Sequence, residues 1–221
     1  MLTARRFVLR SDPDWRDEDA AVEFRLTYHG RVPGQGSKNK VEHKHTLRRS
    51  FHRQLRRYWQ IHPYLKEAVL SERRTGFVYP PQRLIDYLAQ NNERCGYNFV
   101  PLVTHELSLI CSLDVLFLRP SLPGEKLSSG DIDNRIRVIL DALRMPTDRQ
   151  ELAGFEQPDD DEKPFFCLLA DDKLVSHLSV ETDTLLEALN DVSKYDENDV
   201  RLVISVRLKP FDVGWDNISF G

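Results

Sequence analysis

The chain has 221 residues, of which 40% are hydrophobic and 30% charged, with 31 lysines and arginines against 35 acids for a net charge of −4. This composition suits a folded globular protein and excludes a disordered or collagenous one. No apolar run approaches the roughly 20 residues that span a bilayer, and Met1-Leu2-Thr3-Ala4-Arg5-Arg6 leads only into a short apolar triplet, so neither a membrane helix nor a signal peptide is expected.

Cys95, Cys111 and Cys167 are odd in number, widely spaced and free of any C-x-x-C pattern. They predict no disulfide framework and a reducing, cytoplasmic setting.

In chain order, Phe7-Val8-Leu9 reads as a short edge strand or arm, and 11–20 as an acidic loop. Val22, Phe24, Leu26 and Tyr28 alternate with polar residues and predict a half-buried strand. The loop after it holds Pro33, Gly34 and Gly36. Its Gly34-Gln35-Gly36-Ser37-Lys38 lacks the spacing of a phosphate-binding P-loop.

Charge is unevenly spread. Arg31, Lys38, Lys40, Lys44, Arg48, Arg49, Arg53, Arg56 and Arg57 follow one another with only Glu42 opposing them, and His43, His45 and His52 add donors. The acids gather from Glu151 onward. A helix is predicted from near Thr46, with Leu47, Phe51, Leu55 and Tyr58 as its buried stripe. The bland reading of its arginines is a solvated face. The near absence of acids and the basic loop before it favour contact with DNA phosphates.

Residues 62–92 read as helical pieces separated by Pro80-Pro81, with His62 and His105 as structural residues. Leu107, Leu109, Cys111, Leu113, Val115 and Phe117 alternate with polar neighbours and predict a central strand, with Cys111 a core thiol. Pro120, Pro123 and Gly124 then mark the loop that delivers Asp131.

From Ser128 a polar loop turns into a helix. Ile132, Ile136, Ile139, Leu140 and Leu143 form its apolar stripe, and Asp133, Arg137 and Asp141 a polar row at i, i+4, i+8. Taken alone, Asp131 reads as an N-cap, and Asp133 with Arg137 as a surface pair worth about 0.3–0.5 kcal/mol. Paired carboxylates at a loop end, with a cation one turn on, also suit a hard divalent cation that must hold a phosphate. A second acidic step, Asp171-Asp172, follows the apolar run Phe165-Phe166-Cys167-Leu168-Leu169 and precedes a strand around Val175 and His177. It favours the second reading.

Between these steps, 146–163 reads as a long polar loop whose Asp159-Asp160-Asp161-Glu162 simply repel and hydrate. Leu185, Leu186, Leu189 and Val192 predict a helix within 182–196, and Val200, Leu202, Ile204, Val206 and Leu208 a final strand. The tail carries Trp215 and Phe220 as exposed aromatics, a surface for a partner. The order of elements gives one α+β domain, a mixed sheet flanked by helices, with its core over about 20–60 and 105–210 and inserted segments at about 62–92, 146–164 and 182–197.

Asp131-Ile132-Asp133-Asn134, Arg137, Leu140-Asp141-Ala142-Leu143 and then Asp171-Asp172 ahead of a strand resemble the RusA-type Holliday-junction resolvases. The resemblance implies a magnesium-dependent endodeoxyribonuclease (manganese serving as well) acting in recombination and repair as a homodimer on four-way DNA junctions. It implies Asp131, Asp133 and Asp172 as metal ligands, with Asn134, Asp141 and Asp171 in support. Arg137 stands where that family usually has lysine, and arginine does not readily give up a proton. Two other readings share the same residues: a nuclease on other branched or foreign DNA, and a DNA-binding scaffold without catalysis. The inserted segments and tail could recruit a protein partner.

Overall fold

Strict alternation of apolar and polar residues dictates the larger sheet. The structure is a computed structural model describing residues 23–33, 40–69, 82–120, 132–155, 157–186, 199–213, 217 and 220. In chain order these form β1 (Glu23–Arg31), α1 (Lys40–Ile61), α2 (Pro63–Glu67), α3 (Leu84–Asn91), β2 (Glu93–Arg94), β3 (Tyr97–Val103), β4 (Leu109–Arg119), α4 (Ile132–Leu143), β5 (Phe165–Leu169), β6 (Val175–Thr184) and β7 (Asp199–Pro210). The larger sheet has the order β1-β7-β4-β6, antiparallel except for β6, which runs parallel to β4. Leu26 faces Ile204, which faces Val115 in turn, and Phe117 faces Leu202. All are buried, each contributing about 1.5–3 kcal/mol relative to exposure. The predicted central strand is indeed interior. Its Cys111 is fully buried, which pushes the thiol up to about 12 and leaves it unreactive at neutral pH.

A second sheet, β2-β3-β5, holds the polar loops in place. β3 and β5 run parallel, Phe99 beside Phe165 and Val103 beside Leu169. Sequence periodicity gives no strand over 97–103. Burial on both faces erases the period of two, and Pro101 argues against a strand interior. The two sheets and their flanking helices make a single α+β domain, as expected. No helix among the described residues is long and apolar enough to cross a membrane.

Helix α1 packs against β1, β5 and α4. It begins at Lys40, a turn and a half ahead of the predicted Thr46. Its buried face takes in Lys44, His45, Arg48, His52 and Trp59 as well as Leu47, Phe51 and Leu55, while Tyr58 is only half-buried. His52 links three elements. Its Nδ1 accepts from the Phe166 N–H (2.8 Å), which leaves Nε2–H to donate to the Asp161 carbonyl (3.0 Å).

Three expectations are corrected. Asp159–Glu162 is not a hydrated run: Asp160–Glu162 is a 3-10 turn with a reciprocal capping box, and Glu162 is buried against Arg49. Phe220 is buried within its own chain, stacked on His62 and edge-on to Tyr64. Thr182–Thr184 end strand β6 rather than start a helix. The rest of the predicted 182–196 helix, residues 1–22, the glycine-rich loop with Lys38, Pro80-Pro81 and Trp215 lie outside the described residues.

His45 sets an acid limit on stability. It is 1% exposed, both ring nitrogens lack a partner, and it stacks on Phe155. Burial, then Arg48 and Arg49, lower its pKa from 6.5 to about 4. Below pH 6.5 the unfolded chain therefore binds a proton that the folded chain refuses. His45 should leave stability untouched above that pH and cost on the order of 3 kcal/mol as pH falls to about 4. Urea unfolding of His45→Phe across this window should show a flatter pH dependence than the parent. A parallel pair of curves would exclude His45 as the source.

Candidate active site

Helix α4 is aimed by a residue inside the acidic motif itself. Arg135 is fully buried, its Nη1 donates to the Val32 carbonyl (3.1 Å), and its guanidinium lies 5.9 Å from the centre of the Phe117 ring. This joins the first turn of α4 to the end of β1 and to central β4. Ile136, Val138, Ile139, Ala142 and Leu143 turn inward, which leaves Asp133, Arg137 and Asp141 on the opposite side. That side forms one wall of an open cleft of about 590 Å³.

Asp172 reaches the cleft from another part of the chain. Buried β5 ends at Leu169, and Asp171 caps the following turn by accepting from the Lys173 N–H (3.0 Å). That backbone donor, aided by the neighbouring Asp172 and Lys173, holds the Asp171 carboxyl below its ordinary value. Asp171 thus serves the turn, and Asp172 lines the cleft. Val180 and Thr182 of β6, with Ile132, Ile136 and Leu140 of α4, supply apolar walls.

The three carboxylates in the cleft differ in company. Asp141 is neutralised: Arg144 approaches it at 2.8 Å and Lys44 at 3.4 Å. The same two cations hold Glu151, at 3.1 and 3.3 Å. Burial alone would raise the Glu151 carboxyl, but Lys44 and Arg144 outweigh it and hold it below the ordinary range. Arg48 completes the network through the Glu151 carboxylate (3.3 Å) and the carbonyls of Glu151 (3.1 Å) and Asp141 (2.9 Å). Asp133 and Asp172, by contrast, are exposed and pair with no cation among the described residues. Arg137 is likewise exposed on the cleft wall and free of ion pairs there.

The expected site residues are therefore partly gathered. Asp133, Arg137, Asp141 and Asp172 share one cleft, Asn134 is half-buried outside its lining, and Asp131 lies outside the described residues. Among the described residues no group of three His, Cys, Asp or Glu side chains is placed to hold one metal ion. The donors present fit a hard divalent cation in kind: oxygen-only, anionic, and not already neutralised by protein cations.

The basic face needs a larger correction. Arg48 is 1% exposed and Lys44 8%, so both are structural, not available to phosphates. Arg49 pairs with Asp159 and Glu162, and Arg56 donates to the Asp161 carbonyl (3.0 Å). His45 and His52 are also buried. Arg31, Arg53 and Arg57 are exposed, Lys40 is half-exposed, and Lys38 lies outside the described residues. The signal was present in the sequence: Lys44, Arg48, Phe51 and Leu55 follow i, i+4, i+7, i+11, itself a burial stripe. Comparison with protein-family models, with curated proteins and with solved structures gave no match.

Proposed function

We propose that this chain is a magnesium-dependent endodeoxyribonuclease that cuts branched DNA, with the four-way junction as its substrate and two copies acting together. The observation that carries the proposal is the meeting of Asp133 and Asp172 in one cleft, unneutralised, beside a free Arg137. Asp133 and Asp172, with Asp131, would hold the cation. A bound divalent cation would activate water and offset charge on the scissile phosphate.

The chain's own groups do the rest. Arg137 stays protonated and offers a planar fork to two phosphate oxygens, so it binds and offsets charge but donates no proton. The apolar walls of Ile132, Ile136, Leu140 and Val180 strengthen those electrostatics by displacing water. Asp141, held by Lys44 and Arg144, fixes the far end of α4. Arg53 and Arg57 on the exposed side of α1 would track DNA phosphates.

The test is cleavage of a labelled four-way junction beside linear duplex, flap and single-stranded DNA, in Mg²⁺ and in EDTA. Paired, metal-dependent nicks confined to the junction are expected. Cutting of other branched DNA would keep the site and move the substrate, and binding without cutting would overturn the enzymatic reading. Arg53→Ala with Arg57→Ala should reduce the salt slope of DNA affinity by about two phosphate contacts.

A further inference from the structure

The two edges of the larger sheet are treated differently. At β1 the free edge is plugged: the Gln54 side chain accepts from the Thr27 N–H (2.9 Å) and donates to the Thr27 carbonyl (2.7 Å), imitating one rung of a ladder. At the other edge, β6 pairs only with β4, and its outer side meets no described residue. This edge is ten residues long and holds no proline, glycine or lysine, the residues that usually protect such an edge. Leu178 and Val180 are also 39% and 37% exposed, although their face is the one that β4 buries through Leu113 and Val115.

We infer that β6 pairs antiparallel with β6 of a second copy, joining the two sheets into one of eight strands about a two-fold axis at Ser179. The strand's own pattern selects this register. Opposite residues then share a face: Leu178 meets the second copy's Val180, and His177 meets its Glu181, each twice by symmetry. A shift of the axis to Glu181 would set like charges opposite each other. A shift to Val180 would place Leu178 against Thr182. Because Val180 lines the cleft, the second copy's Leu178 would extend the wall of each cleft. This inference stands on the sheet alone and does not depend on the nuclease reading.

Light scattering and sedimentation of the full chain test it without DNA. The expected particle has twice the 25.8 kDa chain mass. Leu178→Lys should halve that mass while the circular dichroism spectrum stays unchanged. Ser179→Cys should give a disulfide-linked dimer on mild oxidation where the parent does not, since opposite Cβ atoms in such a pair lie roughly 4.5–5.5 Å apart, near disulfide reach. A monomeric parent would overturn the inference. So would a dimer that survives Leu178→Lys and gives no Ser179→Cys cross-link. If Leu178→Lys fails to fold, the Ser179→Cys cross-link alone decides.

Discussion

Asp133→Asn and Asp172→Asn are each expected to slow junction cleavage on the order of a hundredfold or more while leaving fold and DNA binding intact. Both side chains are exposed on the cleft and hold no other part of the structure, so the isosteric change removes charge and little else. Two physical consequences should appear together. The Mg²⁺ concentration for half-maximal rate should rise, because one anionic oxygen ligand has become neutral. The thermal midpoint should also lose its dependence on Mg²⁺. A cation that binds only the folded chain stabilises it by about 2.7 kcal/mol at a hundredfold excess over its dissociation constant, and that term shrinks with affinity. Asp171→Asn is the informative contrast. Its carboxylate accepts the Lys173 N–H and caps the turn, so its loss should loosen Asp172 and give a smaller defect with some loss of stability. Parent-like cleavage and parent-like Mg²⁺ response in both Asp133→Asn and Asp172→Asn would place the site elsewhere.

The parts of the molecule legible in the sequence are those where one face is wet. β4 and β7 alternate because one side meets the core and the other does not, and α4 shows its stripe and its polar row for the same reason. Asp133 and Asp172 could be singled out because carboxylates at element ends are unusual beside such apolar runs. Legibility fails where burial is complete or polar. β3 is buried on both faces and has no period to read. Arg48 and Lys44 look like surface cations in a list of residues, and only the packing of α1 on α4 shows that their charges are spent on Glu151 and Asp141. The acids of 159–162 were misread for the complementary reason. Their partners Arg49, His52 and Arg56 sit more than a hundred residues earlier, beyond any local pattern.

Arg48→Met should cost about 3–5 kcal/mol of folding stability, whereas Arg53→Ala should stay within about 0.5 kcal/mol. The two arginines lie little more than one helical turn apart, and their surroundings set the difference. Burial pulls the Arg48 guanidinium below its ordinary pKa and Glu151 draws it back, so the charged form persists only in that company. Methionine would fill the space but leave the carbonyls of Asp141 and Glu151 without their donor. Urea unfolding of both variants measures the contrast, and a loss below about 1 kcal/mol for Arg48→Met would show that Lys44 and Arg144 alone satisfy Glu151. The effect should persist in high salt, because a buried network is poorly screened, while DNA contacts from Arg53 and Arg57 should fade. A loss of that size is a third or more of the 5–15 kcal/mol that holds an ordinary domain folded. It should also reach the cleft: one carbonyl released belongs to Asp141, whose carboxylate and helix form the cleft wall. Cleavage by folded Arg48→Met should therefore fall even where its Mg²⁺ response is normal, which separates a positioning residue from a metal ligand.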